Sequence, residues 1–359
     1  MPADLAQIYT KDLQKEQPLA TQAKTGLLVF LPDLREHPGK IGRWCMDRRT
    51  ILGIAGALVS GAAKAQKAPG SQPGDPDEFI ALWPGTPPGG AHVNLTIKVT
   101  DEVLPDGYHV HVTSQIQTPG FFVYRPARPK GLGLLIIPGG GYAGEGHDRG
   151  GREIAEYFAG LGITCFVLRY RLPGEGWENR ETVALQDAQR AMRLIRSGEY
   201  NVDPSKLAVI GFSAGGHVSA ALATRHALPV YTAVSTADGR DAKPLLAVHM
   251  YPVITMGEGA HPGSREKLLG KTPTPEAVAA WSLERHVGAD AVPSFICLAA
   301  DDDVVPPLPN GVAFFIKLRE AKIASELHVF ETGGHAFGLN WDGWPERFLA
   351  WAAPHGFKT

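Results

Sequence analysis

The pentapeptide Gly-Phe-Ser-Ala-Gly at positions 211–215 constrains the fold of this 359-residue chain more than any other feature. It directly follows the apolar run 207–210 and directly precedes a run of small residues that is typical of a helix. A serine with a glycine two positions away on either side is the pattern of a nucleophile elbow, a strained turn from strand to helix. A glycine-rich turn that has no catalytic role is the alternative. We predict that Ser213 is a nucleophile, presented at a helix N-terminus.

Apolar runs alternate with helical patterns from residue 91 onward. The aliphatic run 133–137 ends at a proline and three glycines, which is typical of a strand buried on both faces of a parallel sheet. The predicted strands are 92–100, 121–124, 133–137, 163–168, 207–210, 245–250, 294–299 and 326–330, and the main predicted helices are 152–160, 181–196, 214–224 and 311–321. This alternation predicts an α/β fold with a mostly parallel, doubly wound sheet. We expect no large cap domain, although the stretch 253–291 has room for a small lid.

A second glycine-rich turn follows the predicted strand 133–137. It reads Pro-Gly-Gly-Gly-Tyr at positions 138–142. Glycine lets backbone amides approach a substrate oxygen closely, so we predict an oxyanion hole made by the N–H groups of Gly140, Gly141 and Ala214. A phosphate-binding loop is the alternative, but no Gly-Lys-Ser/Thr follows the glycines.

The other candidates for a catalytic set follow two later predicted strands. Three consecutive aspartates occupy positions 301–303, and His335 comes directly after two glycines. In such a set the histidine takes the proton of the serine, here Ser213, and an aspartate fixes the tautomer of the histidine. Asp302 is favoured by its spacing to Pro306, and the aspartates on either side of it remain alternatives. A core histidine would not be expected on a loop flanked by glycines.

The remaining histidines and cysteines favour structural interpretations. His217 lies one helical turn beyond the elbow and is predicted to be structural, with a catalytic role as the alternative. His147 is expected on a solvated loop, with a position that lines the pocket as the alternative. Cys165 and Cys297 lie in apolar runs, which indicates two buried free thiols on strands. A disulfide between them is the alternative in an oxidising compartment. No cluster has the spacing of metal ligands, so we predict no metal.

The N-terminal part has the pattern of an export signal. Residues 46–65 contain the twin arginines Arg48 and Arg49, then a glycine- and alanine-rich apolar stretch that ends in Ala-Lys-Ala. We expect a twin-arginine signal peptide cleaved before Gln66, and therefore a periplasmic or secreted protein without a membrane anchor after cleavage. Residues 1–45 are expected to be an extension that precedes the natural start. For residues 46–65, an ordinary buried helix is the alternative to a signal peptide.

Composition and charge complete the domain prediction. Lys and Arg total 35 and Asp and Glu total 37, so the formal net charge of −2 gives no reason to expect nucleic acid or an anionic membrane as a partner. Residues 66–90 are dense in proline and glycine and are predicted to form a loosely packed linker. The folded domain is predicted to span residues 91–359.

Several of these stretches together resemble a known group of proteins. They are 138–142, 168–173, 186–191, 211–217, 251–254, 261–264, 302–306 and 333–338. The chain resembles the bacterial α/β-hydrolases related to acetylxylan esterases and feruloyl-esterase-like proteins, with Ala336 standing where glycine is usual in the group. The resemblance implies the α/β-hydrolase fold, hydrolysis of esters on plant polysaccharides such as acetylated xylan, and no cofactor.

The residues and the resemblance lead to one hypothesis for function. We expect a serine carboxylic ester hydrolase that acts on a small-molecule or polysaccharide ester through an acyl-enzyme, with Ser213, Asp302 and His335 as its triad. An exopeptidase-like serine hydrolase of the same fold is one alternative. A non-catalytic binding protein that has kept the fold is the other.

Overall fold

The computed structural model describes residues 67–103, 107–339 and 342–359. The predicted extension over 1–45 and the predicted signal peptide over 46–65 lie outside the described residues. Among the helices in the described ranges, none combines the length and the apolarity that crossing a bilayer requires.

Eleven strands form two sheets in the described part of the chain. The strands are β1 (Phe79–Ala81), β2 (Lys98–Val103), β3 (His109–Ser114), β4 (Gly120–Tyr124), β5 (Gly131–Ile137), β6 (Glu145–Gly146), β7 (Ile163–Arg169), β8 (Val202–Phe212), β9 (Ala247–Met250), β10 (Ser294–Ala299) and β11 (Ser325–Phe330). The main sheet has the order β1-β4-β7-β5-β8-β9-β10-β11, and β2, β3 and β6 form a small antiparallel sheet. β1 and β4 pair antiparallel. In the part of the sheet that runs from β7 through β5, β8, β9 and β10 to β11, all pairs are parallel, as predicted.

Helices cover both faces of the main sheet. They are α1 (Glu153–Gly160), α2 (Val183–Ser197), α3 (Ala214–Arg225), α4 (Pro262–Leu269), α5 (Pro275–Trp281), α6 (Ala313–Glu320) and α7 (Trp344–Ala352). Along β5, Leu135 and Ile137 pack in the core that includes α2, α3 and α6, and Leu134 and Ile136 pack in the core that includes α1 and α7. Both faces of this strand are buried, which explains its unbroken aliphatic run. The stretch 253–291 contains α4 and α5.

The pairing register places the ends of the central strands at one level. Ile137 at the end of β5 lies opposite Gly211 near the end of β8, and Phe212 lies opposite Met250 of β9. Parallel strands present their carboxyl ends at the same edge of the sheet, so the loops that follow β5, β8, β10 and β11 meet there. These loops carry the glycine-rich turn, the elbow, the three aspartates and the histidine that the sequence singled out.

The prediction of a loosely packed linker over residues 66–90 was wrong for the part that the structure describes. Phe79 of β1 pairs with Phe122 of β4, which makes the segment the edge of the main sheet. Leu82 and Trp83 are buried beyond that strand. The many prolines and glycines hid these few apolar residues, so composition alone indicated a linker.

Buried polar contacts fix this N-terminal segment to the rest of the fold. The indole N–H of Trp83 donates to Asp187 at 2.8 Å, and the same carboxylate forms an ion pair with Arg171 that is shielded from solvent. His147 is also buried and is 2.8 Å from the Asp75 carboxylate, so the prediction of a solvated loop histidine was wrong. A buried charge that loses its partner is strongly destabilising, and these contacts therefore hold the segment in place.

Two other local predictions had opposite outcomes. The strand expected at 92–100 is found at 98–103, because its partner β3 ends opposite Lys98 and leaves the preceding residues without a neighbouring strand.

Cys165 and Cys297 are buried free thiols on β7 and β10, as predicted. Three strands lie between β7 and β10, and at about 4.8 Å per strand their thiols are too far apart for a disulfide.

Replacing Trp83 by phenylalanine tests the anchoring of the N-terminal segment. The substitution keeps an aromatic ring but leaves the buried Asp187 carboxylate without one of its donors, so unfolding in urea should show a loss of about 1–3 kcal/mol in stability. Trp351→Phe is the matched control, since the indole N–H of Trp351 donates to no group in the described part of the chain. Equal losses for the two variants would show that the bond to Asp187 contributes nothing.

His249 is a buried titratable group within the main sheet. It lies on β9, with Nδ1 2.8 Å from the hydroxyl of Ser219 and its ring packed against Phe314. Burial lowers the pKa of His249 to about 3, because the charged imidazolium would lose its hydration there. The unfolded chain binds this proton near pH 6.5, so between these two values the unfolded state holds more protons and stability falls as the pH falls.

The pH dependence of stability should therefore weaken when His249 is replaced. Between about pH 7.5 and about pH 5 the wild-type chain should lose about 2 kcal/mol more stability than His249→Asn, as measured by urea unfolding at each pH. His92→Asn makes the same change at an exposed histidine and should follow the wild type. The same pH dependence in all three proteins would contradict a neutral buried His249.

Candidate active site

Ser213 sits in a turn that tolerates only glycine at two neighbouring positions. Its backbone has φ +53° and ψ −115°, a conformation that an L-residue adopts only under strain. A Cβ on Gly211 would lie 2.1 Å from the carbonyl oxygen of Gly215, and a Cβ on Gly215 would lie 2.2 Å from that of Ile137. The N–H of Ser213 donates to the carbonyl of Met250 at 3.0 Å, which fixes the turn to β9.

His335 connects the serine to a carboxylate. Its Nε2 is 2.8 Å from Oγ of Ser213, and its Nδ1 is 2.8 Å from Oδ2 of Asp302. A carboxylate only accepts, so Nδ1 carries the proton and Nε2 is free to accept the serine proton. The Asp302 side chain is 2% exposed, and its other oxygen accepts from the N–H groups of Val304 and Val305. The carboxylate is thus held rigidly behind the imidazole.

The three consecutive aspartates have different surroundings. Asp302 contacts His335, whereas the carboxylate of Asp301 accepts from the N–H groups of Gly333 at 3.3 Å and Gly334 at 2.7 Å. Asp301 therefore holds the glycines that precede the histidine. Asp303 is exposed. The structure brings Asp302 to the histidine, and the two alternatives on either side of it do not reach the ring.

The glycine-rich turn after β5 lies directly against the elbow. A Cβ on Gly139 would be 2.8 Å from the carbonyl oxygen of Phe212. Gly140 and Gly141 have φ of +136° and +62°, values that favour glycine. No group in the described ranges accepts from the N–H groups of Gly140, Gly141 or Ala214. These three amides, predicted from the sequence as an oxyanion hole, thus have no acceptor among the described residues.

A buried hydrogen-bonded pair supports this turn from behind. The hydroxyl of Tyr142 donates to Nδ1 of His217 at 2.8 Å, and Nε2 of His217 donates to the carbonyl of Trp281 at 2.9 Å. Burial lowers the pKa of His217 to about 4, so the ring is neutral near pH 7. His217 is a structural residue, as predicted.

Glu145 is a second buried support that sequence reasoning missed. It follows the turn, is 1% exposed, and accepts from the N–H of Tyr170 at 2.6 Å. Burial raises the pKa of this carboxyl well above its usual range, because the charged form would lose its hydration there. The Tyr170 hydroxyl in turn donates to the carbonyl of Pro138 at the start of the turn.

Two further side chains beside the triad were also missed. The ring of Tyr251 packs edge-on against His335 with 4.9 Å between ring centroids, and Tyr251 has a φ of +37°. His261 is the N-cap of α4 and faces the glycine-rich turn, where a Cβ on Gly141 would lie 3.6 Å from its ring. The resemblance included both stretches, 251–254 and 261–264, but no local pattern indicated what these side chains would contact.

A cavity of about 450 Å³ opens over the serine. Its floor contains Ser213, His335 and the glycine-rich turn, and its walls include Val112, Val304, Tyr251, His261, Arg149 and Lys267. Among the described residues, no group of three or more His, Cys, Asp or Glu side chains is placed to hold a metal ion. The site thus combines a serine bonded to an imidazole with backbone N–H groups that have no acceptor among the described residues.

The family model described as BD-FAE matches residues 123–314 of the chain. An acetylxylan esterase of Xylanibacter ruminicola is 28% identical over 222 residues, which are 60% of this chain and 43% of that protein. An endo-1,4-β-xylanase B of Butyrivibrio fibrisolvens is 36% identical over 226 residues, which are 61% of this chain and 34% of that protein. The chain thus spans less than half of the length of these two relatives.

Solved structures share the architecture. An acetyl ester-xyloside bifunctional hydrolase from Caldicellulosiruptor lactoaceticus superposes with a TM-score of 0.64 at 28% identity, covering 79% of this chain and 97% of that chain. The esterase Est2 of Thermogutta terrifontis superposes with a TM-score of 0.56 at 23% identity, covering 73% and 93%. At 23% identity, the similarity to Est2 shows that the two chains share the fold.

Alanine substitutions at the three aspartates test their different surroundings. The rate at which a fluorophosphonate labels Ser213 reports how well the serine is activated. Asp302→Ala should slow labelling by about 10³-fold or more, since the imidazole loses its fixed tautomer. Asp301→Ala should slow it by about tenfold, because the histidine loop loses its anchor.

Asp303→Ala is the matched control for this series. The side chain is exposed, so its loss should change the labelling rate by less than about twofold. If Asp303→Ala slowed labelling as much as Asp302→Ala did, the contact between Asp302 and His335 would not be the one that matters.

Proposed function

The chain belongs to the BD-FAE family and has the α/β-hydrolase fold, and on that premise we propose that it is a serine carboxylic ester hydrolase acting on acetylated carbohydrate. The observation that carries the proposal is the continuous hydrogen-bonded set of Ser213, His335 and Asp302, with 2.8 Å at each of its two contacts. Nucleophile and base within hydrogen-bond reach, with the base oriented by a carboxylate, is the arrangement that acyl transfer requires.

Acylation begins with attack by Ser213. Its Oγ forms a bond to the acyl carbon of the ester, and its proton passes to Nε2 of His335. The imidazolium that forms is stabilised by Asp302, whose carboxylate is held in place by two backbone N–H groups. The carbonyl π electrons move to the acyl oxygen, which becomes an oxyanion.

The oxyanion then needs donors that are already in place. Gly140 and Gly141 line the cavity beside the serine, Ala214 directly follows the serine in the chain, and the N–H groups of all three are not used by other described groups. Backbone donors fixed by the fold stabilise the developing charge without reorganisation, which is a major part of the rate enhancement in such sites.

Release of the alcohol and hydrolysis of the acyl-enzyme use the same groups. The bond between the acyl carbon and the alcohol oxygen breaks, and the alcohol leaves with the proton from Nε2 of His335. Water then gives a proton to the imidazole and attacks the acyl carbon. Collapse of this second intermediate releases the carboxylic acid and returns the proton to Ser213.

The carbohydrate part of the proposal rests on the relatives and on the size of the cavity. One relative is named for acetylxylan, and one structural neighbour is named for acetyl ester and xyloside hydrolysis. The cavity of about 450 Å³ is far larger than an acetyl group, so most of its volume is left for the alcohol part of the ester.

Ser213→Ala tests the proposed reaction directly. We expect the wild-type chain to release acetate from acetylated xylan and to hydrolyse phenyl acetate, and the variant to lose at least about 10³-fold in kcat/KM on both. Ser205→Ala, at an exposed serine on β8, is the matched control and should keep wild-type rates. Turnover that Ser213→Ala leaves unchanged would refute the reaction, and turnover of peptide amides but not of esters would favour a peptidase.

A further inference from the structure

His261 presents a free hydrogen-bond donor to the cavity. Its Nδ1 accepts from the backbone N–H of Ser264 at 3.2 Å and from the hydroxyl of the same residue at 2.8 Å. A backbone N–H only donates, so Nδ1 carries no proton and the proton of the neutral ring is on Nε2. No acceptor for Nε2–H is found in the described residues, and Nε2 is not sealed from solvent.

The ring is held in one orientation and in its neutral form. Ser264 is fully buried beneath it, so both bonds to Nδ1 are fixed by the fold. Burial, and next the nearby His335, lower the pKa of His261, and the opposing effect of Asp302 is smaller. At neutral pH the side chain is therefore a directed donor and not a cation.

The other donors of the site already account for the two oxygens of an acetyl ester. The carbonyl oxygen is served by the backbone N–H groups of the glycine-rich turn and the elbow, and the alcohol oxygen receives its proton from His335. An acetyl group has no further acceptor. A donor that remains free in the same cavity therefore finds its acceptor on the rest of the alcohol part.

A second cavity with polar walls adjoins the first. This second cavity of about 390 Å³ shares Ala143 and Lys267 with the first. Its other walls include the polar residues Ser114, Gln115 and Glu175. Lys267 lies on α4, the helix that His261 caps, so one element lines both cavities.

We propose that His261 is a specificity-determining residue whose Nε2–H donates to a hydroxyl group of the sugar that carries the acyl group. This inference rests on the proposed ester hydrolysis and adds to it the recognition of the alcohol. A site built to bond a hydroxyl discriminates against alcohols that lack one, because its donor is then left unpaired.

The test compares two acetates that differ in the alcohol. A monoacetate of methyl β-xyloside offers free hydroxyl groups, whereas phenyl acetate offers none. The measured quantity is the ratio of kcat/KM for the xyloside to kcat/KM for phenyl acetate. His261→Asn should lower this ratio about tenfold, mainly through KM for the xyloside, because asparagine does not reach as far as Nε2.

The choice of variants separates recognition from stability. Asparagine is a strong N-cap, so the Asn variant still caps α4 through its side-chain oxygen. His261→Gln places an amide N–H near the position of Nε2 and should restore the ratio to within about threefold of wild type. Thr274→Ala removes the N-cap of α5, away from the cavity, and should reduce stability without changing the ratio.

The possible results separate the role of His261 from ester hydrolysis itself. A lowered ratio in the Asn variant that the Gln variant restores supports the inference. An active wild type whose ratio is unchanged in the Asn variant, or an active wild type that rejects the xyloside, overturns it and leaves ester hydrolysis standing. A wild type that hydrolyses neither acetate refutes the proposed function itself. Should the Asn variant not fold, a Gln ratio far below that of wild type overturns the inference.

Discussion

The pairing register of β5 and β8 is the constraint on which the rest of the site depends. Because Ile137 lies opposite Gly211, the two chains leave the sheet at the same level, and one forms the glycine-rich turn while the other forms the elbow. A Cβ on Gly139 would lie 2.8 Å from the carbonyl oxygen of Phe212, and one on Gly215 would lie 2.2 Å from that of Ile137. The backbones of the two turns are in direct contact. A slip of one residue in this pairing would move the glycine-rich turn away from Ser213.

Two buried polar contacts attach the N-terminal segment to the rest of the fold, which hydrophobic packing alone does not do. The Asp187 carboxylate joins Trp83 of the N-terminal segment to Arg171 after β7, and the pair of Asp75 and His147 joins the same segment to the chain beyond the glycine-rich turn. Such pairs stabilise little in themselves but are costly to break, so they select one arrangement of a proline- and glycine-rich segment. They also explain why the folded part of the chain includes residues that composition assigned to a linker.

The sequence predicted best those strands whose extent depends on residues that are close together in the chain. The buried strands at 133–137, 163–168 and 207–210 were predicted within a few residues, because a strand covered on both faces is an unbroken apolar run. The resemblance to acetylxylan-esterase-like α/β-hydrolases was confirmed by the match to the family model. The strand predicted at 92–100 was displaced and the edge strand at 79–81 was missed, because the extent of an edge strand depends on a partner that is distant in the chain.

The sequence by itself determined the alternation of buried strands and helices around the site, the strained turn at Ser213, and the positions of a histidine and three aspartates after later strands. Only the tertiary structure decided that Asp302 contacts His335 and that Asp301 holds the glycines of the histidine loop. It also decided that His261 faces the cavity with its proton on Nε2. The physical reason is the range of the forces involved. Glycines, apolar runs and caps set the backbone through neighbours in the chain, whereas a hydrogen bond between loops depends on where distant strands end in the sheet.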